Sequence, residues 1–228
     1  MRKGAVILFK DGYCYQSYGW SLQRPLGKIQ NILDHLEEYH VDEISIIRPV
    51  KGMDNDESFY SDILELSKIK SSTPLSFGGG LYNKERIDRV RSLSFERLIF
   101  SSSLLSNSNI ISYTRNLIGK QAIVGSIPLK YVNSSLMVYN SVLNKFVSIE
   151  SINLKNISMC DELIVTDCSS EGVSNSFNMN ILDHEFFNSK KIIVSGGVNL
   201  NKELYKEKKI VSILIENKVL HTEYSLKR

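Results

Sequence analysis

Short apolar runs rich in β-branched residues recur along the chain, and eight of them have the length and composition of buried strands. These predicted strands cover residues 5–9, 43–47, 75–77, 97–100, 122–127, 162–166, 191–194 and 210–215. Between most of them lie amphipathic stretches of helical periodicity, at residues 26–39, 59–70, 84–92 and 110–118. Alternation of buried strands with helices predicts a parallel sheet. Eight such units in 228 residues favour an α/β fold closed as a (β/α)8 TIM barrel, with residues 1–228 as a single domain.

Two similar turns lie about half a chain apart and indicate an internal repeat. Gly78-Gly79-Gly80 follows the third predicted strand, Gly196-Gly197 follows the seventh, and Asn-Lys-Glu comes shortly after each. A barrel whose third and seventh strands end alike is predicted to consist of two half-barrels, at about residues 1–120 and 121–228. The chain after Gly197 is short, so we expect the outer helices near the C-terminus to be abbreviated or missing.

Glycines at these turns have a chemical use, because a phosphate approaches backbone N–H groups most closely where no Cβ intervenes. Barrel enzymes place such sites at the C-terminal ends of their strands. Small hydroxyl residues follow the fourth strand, and a further glycine-containing segment follows the sixth. We therefore predict two anion pockets on opposite sides of the barrel mouth, which suit an elongated bisphosphorylated substrate. The candidate phosphate-binding residues are Gly79, Gly80, Ser101, Ser102, Gly172, Gly196 and Gly197.

The composition of the chain argues against several classes of function. The net charge of +3 is spread along the chain rather than concentrated in a stripe with aromatic residues, so we expect no nucleic-acid partner. The apolar run near the N-terminus is too short for a signal segment or a membrane span, so we expect a cytoplasmic protein without membrane association. Cys14, Cys160 and Cys168 lack metal-ligand spacing and are expected to be reduced packing residues. Neither they nor the four histidines support a metal site, a cofactor or a nucleophilic triad.

Several motifs, in order and each at a predicted strand, resemble those of one barrel family. Lys10-Asp11-Gly12 is similar to its KDG motif, residues 74–81 to its P-x-x-x-GGG turn, and residues 162–172 to its E-I-L-L-T-S-x-x-x-D-G segment. Residues 194–197 are similar to its A-S-G-G. The chain thus resembles the HisA/HisF family up to about residue 200. Within that family it is most similar to HisF, the cyclase subunit of imidazole glycerol phosphate synthase.

The HisF resemblance implies an ammonia entrance at the N-terminal mouth of the barrel. In that subunit, ammonia from a HisH-like glutaminase partner enters through a ring of alternating charges at the strand starts. Arg2, Glu43, Arg97 and Glu162 align with this ring, with arginine at position 97 in place of the usual lysine. Four such charges can pair in two bridges and exclude bulk water while leaving a narrow opening.

The resemblance also shows what this chain lacks. The family's cyclisation uses two aspartates as general acid and base, and in the alignment these become Leu8 and Pro128. We therefore expect ordinary cyclisation to be absent or severely slowed, and we leave the catalytic residues unassigned. Asp11, Asp167 and Glu171 are weak candidates for displaced carboxylates.

Other substitutions affect the predicted ligand sites. The eighth strand is followed by Glu216 and Asn217 where the family has small phosphate-binding residues, which should weaken the second pocket. Arg48 replaces an aspartate after the second strand and could add an anion contact. The segment 13–26, with three tyrosines and Trp20, corresponds to a mobile loop of the family. It either caps a sugar-like ligand by stacking or packs its own aromatic residues on the barrel rim.

Two hypotheses of different classes follow. The first is an ammonia-accepting subunit that pairs with a glutaminase and aminates or amidinates a sugar, similar to HisF relatives of surface-polysaccharide synthesis. Its expected ligand is a phosphorylated sugar or nucleotide. The second is a non-catalytic barrel that binds a phosphosugar or acts as a scaffold. A genuine imidazole glycerol phosphate synthase subunit, using displaced carboxylates, is a third and weaker alternative.

Overall fold

The computed structural model describes residues 1–106, 109–199, 201, 205 and 209–215. Eight parallel strands form a closed barrel, because the strand at residues 123–132 pairs with those at residues 97–100 and 162–167 and so joins the two ends of the strand order. The (β/α)8 prediction is therefore confirmed. The barrel strands are β1 Arg2–Lys10, β4 Glu43–Ile47, β5 Leu75–Gly78, β6 Arg97–Phe100, β7 Ile123–Val132, β10 Glu162–Asp167, β11 Lys191–Ser195 and β12 Ile210–Ile215.

The predicted helices are present between the strands of the first half. They are α1 Ile29–Glu38, α2 Asp56–Leu66, α3 Lys84–Arg91 and α4 Ile110–Ile118, and a shorter α5 covers Leu154–Met159. Between β10 and β11 the described chain forms 3-10 turns at Met179–Asp183 and Glu185–Phe187 in place of an α-helix. Residues 202–204, 206–208 and 216–228, on which the expectation of shortened C-terminal helices rests, lie outside the described residues. None of the helices in the described part of the chain has the length and apolar content of a membrane span.

Two antiparallel extensions of the sheet were not predicted. The segment interpreted as a mobile loop forms β2 Tyr13–Tyr18 and β3 Leu22–Gly27, and β2 pairs with β1. After β7, the strands β8 Ser135–Asn140 and β9 Lys145–Ser148 form a similar extension. Each begins with a two-residue turn of positive φ, Asp11-Gly12 in the first and Asn133-Ser134 in the second. This is the turn geometry that matches the twist of a hairpin, so the loop prediction for residues 13–26 is wrong.

The two glycine turns hold equivalent places in the two half-barrels. A Cβ added at Gly79 would overlap the carbonyl oxygen of Arg48 at the end of β4, and one at Gly196 would overlap that of Asp167 at the end of β10. Both glycines also have positive φ, 109° and 84°. These positions require glycine because neighbouring backbone approaches too closely for any side chain. The two turns are thus alike in their packing, and the division into two half-barrels stays a prediction.

Residues alternate between the barrel interior and the surrounding helices, as the strand geometry dictates. Ala5, Ile7 and Phe9 belong to the large outer core. A separate apolar cluster fills the barrel interior, and it consists of Ile99, Val124, Ile164, Ile193 and Leu214, with Val6, Ile47 and Val211 packed against it.

All three cysteines lie among the described residues, are buried and form no disulfide. Burial raises the pKa of Cys14 and of Cys160 to about 12, which suppresses the reactive thiolate. We therefore expect the native protein to react with the thiol reagent DTNB only as fast as it unfolds, and all three thiols to react at once in guanidinium chloride. Reaction of the native protein at the rate of free cysteine would contradict this burial.

Candidate functional site

The four charged residues predicted at the strand starts meet in one closed ring. Arg2 donates from Nε to Glu43 Oε1 at 3.1 Å and from Nη2 to Glu162 Oε2 at 2.6 Å. Arg97 donates from Nη1 to Glu162 Oε2 at 2.7 Å and from Nη2 to Glu43 Oε2. Each arginine thus bridges both glutamates. The expectation of two bridges is corrected to four ion pairs, because the planar guanidinium presents several donors in a fork.

The ring is buried on its acidic side. The side chains of Glu43 and Glu162 are 2% and 7% exposed, against 36% for Arg2. Burial pushes the pKa of Glu43 upward, but Arg97, a hydrogen bond from Ser212 and Arg2 outweigh burial and hold this pKa below its usual value. Burial lowers the pKa of Arg2, but the charges and hydrogen bonds of Glu162 and Glu43 outweigh burial and raise this pKa above its usual value. Glu43 and Arg2 are therefore ionised at neutral pH, and the ring has as many basic as acidic members.

Ser212 is a member of this arrangement that the sequence did not reveal. It lies on β12, is fully buried, and donates its hydroxyl to Glu43 Oε1. Glu43 consequently accepts hydrogen bonds from β1, β6 and β12. A single serine in an apolar strand has no sequence signal beyond its inward position in the alternation of β12.

A cavity of about 440 Å³ opens at the other end of the barrel, at the C-terminal ends of the strands. Four of the candidate phosphate-binding residues, Gly79, Gly80, Ser101 and Ser102, line it together. The hydroxyl of Ser102 is 2.5 Å from that of Ser141 and accepts a hydrogen bond from the Ser141 N–H at 3.1 Å. A smaller cavity of about 80 Å³ continues into the barrel and is lined by Val6, Leu8, Tyr15, Ser17, Trp20, Ile47, Ser126, Ile164, Thr166, Glu171, Ser195 and Leu214. The apolar interior cluster separates the charged ring from these cavities.

The two positions where the family's aspartates are expected face this cavity with apolar side chains. Leu8 and Pro128 both line it. Asp11 is 61% exposed on the hairpin turn and lines neither cavity. The carboxylate of Asp167 is 2% exposed and holds the following loop by accepting from Ser169 N, Ser170 Oγ and Asn178 N. Of the three carboxylate candidates, Glu171 is the one that the structure places in the cavity wall.

Glu171 joins the loop after β10 to the first hairpin. Its carboxylate accepts the backbone N–H of Trp20, and its carbonyl oxygen accepts the N–H of Gly19 at 3.3 Å. Burial raises the pKa of Glu171, although Ser17, the Trp20 N–H and Lys51 act in the opposite direction. A buried carboxyl group with a raised pKa exchanges protons closer to neutral pH than an exposed one.

Two aromatic residues, one from each extension, meet over the cavity. The rings of Trp20 and Tyr139 are 5.6 Å apart in an edge-to-face arrangement. Gly52 N also donates to Ser141 O at 2.7 Å, which ties the loop after β4 to the second extension. Of the aromatic residues predicted to cap a ligand, Trp20 lines both cavities and Tyr15 lines the smaller one, whereas Tyr13 and Tyr18 are exposed.

The residues predicted for the second phosphate pocket do not share a cavity wall as those of the first pocket do. Gly172, Gly196 and Gly197 are absent from the described lining of both cavities. The Gly197 carbonyl accepts the N–H groups of Ser176 and Phe177, so the loop after β10 folds onto the second glycine turn. Glu216 and Asn217 lie outside the described residues.

Arg48 does not supply the anion contact that its position suggested. The side chain is 2% exposed and donates from Nε to Asp62 at 2.8 Å, from Nη1 to Asp54 at 2.6 Å and from Nη2 to Ser58 at 2.9 Å. Asp54 also pairs with the fully buried Arg86. The guanidinium is therefore neutralised within the protein, and it fixes the loop after β4 that forms part of the cavity wall.

Comparison with known proteins agrees with the fold and the motifs. The family model described as histidine biosynthesis protein matches residues 7–224. Similar proteins include a putative imidazole glycerol phosphate synthase subunit HisF of Leptospira interrogans, 24% identical over 78% of this chain and 71% of that protein. The putative subunit hisF2 of Campylobacter jejuni is 26% identical over 85% and 78%, and the HisF subunit of Sulfurisphaera tokodaii 23% over 95% and 88%. This chain belongs to the HisA/HisF family of histidine biosynthesis proteins.

Proposed function

We propose that this chain is the ammonia-accepting barrel subunit of a glutamine amidotransferase and that a HisH-like glutaminase binds at its N-terminal face. The observation that carries the proposal is the closed ring of Arg2, Glu43, Arg97 and Glu162 at the strand starts. The relatives are named as synthase subunits, which agrees with action in a complex.

The barrel interior suits the passage of neutral ammonia. The apolar cluster of Ile99, Val124, Ile164, Ile193 and Leu214 lies between the ring and the cavities. Transfer of an ion from water into such surroundings is strongly unfavourable because the ion loses its hydration, whereas a small neutral molecule loses much less. Ammonia that passes the ring would therefore reach the cavity without exchange with ammonium in bulk water.

The chemistry at the cavity has diverged from imidazole glycerol phosphate cyclisation. Leu8 and Pro128 can neither donate nor accept a proton at the positions of the family's acid and base. We propose instead the amination or amidination of a phosphorylated sugar or nucleotide, in the sugar case for surface polysaccharide. Gly79, Gly80, Ser101 and Ser102 would hold its phosphate.

The test is a titration of the HisH-like glutaminase encoded in the same genome with this chain. We expect glutamine hydrolysis to rise about tenfold at saturation, within the usual range of coupling between two sites. No rise at any concentration of this chain would contradict the proposal. An unrelated (β/α)8 barrel added at the same concentration is the control.

One observation favours a second candidate, a genuine imidazole glycerol phosphate synthase subunit. Glu171 lines the cavity and its pKa is raised by burial, so the cavity retains one group able to transfer protons. Complementation of a histidine auxotroph that lacks HisF would support this candidate, and its loss in Glu171→Gln would assign the residue.

A further inference from the structure

Trp20 provides the first indication of what the cavity binds. Its indole Nε1–H is buried and finds no acceptor within the described part of the chain, although the side chain lines both cavities. A buried donor left without a partner costs about 1–3 kcal/mol. Trp20 has a φ of 62° beside Gly19 at 57°, so its backbone conformation belongs to the turn that joins β2 and β3 and places the side chain at the cavity. A hydrogen-bond acceptor on a ligand would satisfy the indole.

Glu171 determines which ligand groups bind favourably at this end of the cavity. Its carboxylate is 7% exposed and lies beside Trp20, to which it is hydrogen-bonded through the backbone. In its ionised form it repels a second anion at close range. In either protonation state it accepts hydrogen bonds from hydroxyl groups. Uncharged hydroxyls are therefore the groups that complement Glu171.

The glycine turn after β5 favours a different ligand group, a phosphate, at the opposite end of the cavity. There Gly79 and Gly80 bring backbone to the cavity surface, beside the small side chains of Ser101 and Ser102. Glycine-rich backbone with nearby hydroxyls is an arrangement that binds phosphate. The equivalent turn at Gly197 is instead covered by the loop that carries Ser176.

We propose that the cavity binds a compound with a single phosphate, held at Gly79 and Gly80, and an uncharged hydroxyl-bearing ring placed against Trp20 and Glu171. The apolar face of such a ring packs on the indole, and its oxygens serve both the Nε1–H and the carboxyl group. A monophosphorylated sugar has this chemistry, and a sugar bisphosphate does not. The inference rests on the proposed function, since this compound would be the acceptor of the ammonia.

Trp20 is the sole tryptophan of the chain, so its fluorescence reports directly on the cavity. We would titrate the protein with glucose 6-phosphate, with glucose 1,6-bisphosphate and with inorganic phosphate. Glucose 6-phosphate should change the emission and compete with inorganic phosphate for one site. The bisphosphate should bind about tenfold more weakly because of Glu171, and Glu171→Gln should remove most of that difference.

Asp11→Asn is the matched control, because Asp11 is an exposed carboxylate that lines neither cavity. It should leave all three affinities unchanged. Equal or tighter binding of the bisphosphate, two phosphate sites per chain, or absence of binding in calorimetry would each overturn the proposal. These measurements need no glutaminase. Glutaminase activation without sugar-phosphate binding would leave the proposed function standing while this inference fails.

Discussion

Replacing Glu162 by glutamine is expected to reduce the direct transfer of ammonia through the barrel by about tenfold or more, because the loss of one charge from a buried network leaves the opposing charges unpaired. Glu162 Oε2 accepts from both Arg2 and Arg97. Without its charge, the two guanidiniums share Glu43 alone, which Ser212 continues to hold. The ring then carries a net positive charge, and water enters it.

The measurement follows the nitrogen atom and does not require a known acceptor. The complex with the glutaminase receives [amide-15N]glutamine and excess unlabelled ammonium in an extract of the source organism. Mass spectrometry then gives the 15N fraction of the aminated product. The wild-type protein should retain 15N, whereas in Glu162→Gln and Glu43→Gln the label should be diluted by bulk ammonium.

The neighbouring residue offers a matched control. Asp161 precedes Glu162 in the chain and pairs with Lys191 at 3.3 Å, outside the ring. Asp161→Asn should therefore leave the 15N fraction unchanged. Sugar-phosphate binding at the opposite mouth should survive in all three variants. Unchanged labelling in both ring variants would contradict passage of ammonia through the ring.

The sequence predicts the barrel well because its strands are buried on both sides. Residues 43–47, 97–100 and 210–215 were predicted with the observed bounds, since apolar runs end sharply at polar residues there. The hairpin after β1 had a usable signal in Asp11-Gly12, a sequence that favours a two-residue turn. The resemblance to a family motif followed by a loop obscures this signal, so β2 and β3 are absent from the prediction.

The site was less predictable because its contacts join distant parts of the chain. The charges of the ring could be listed from the strand starts, but the closure of all four pairs depends on side-chain orientation. The partners of Arg48 are in the following loop and on α2, and no local pattern connects them. The role of Glu171 likewise depends on a hairpin tip far away in sequence.

Replacing Arg48 by methionine is expected to lower the free energy of unfolding by about 3–5 kcal/mol, the usual cost of removing one partner from a buried ion pair. Asp62 is 1% exposed and would keep the hydrogen bond that it accepts from Gly12 N at 3.2 Å. Asp54 would still pair with Arg86. The main cost is therefore the uncompensated carboxylate of Asp62 in the interior.

Urea denaturation of three variants measures this cost and assigns its origin. Arg91→Met is the matched control, because Arg91 is 48% exposed and 3.8 Å from Asp88, so its loss should cost about 0–1 kcal/mol. The double variant Arg48→Met/Asp62→Leu removes both charges and should recover much of the stability. If Arg48→Met costs no more than Arg91→Met, the buried network does not stabilise the fold. Because Arg48 also fixes the loop that forms one cavity wall, a stable double variant that binds sugar phosphate more weakly would separate its positioning role from its effect on folding.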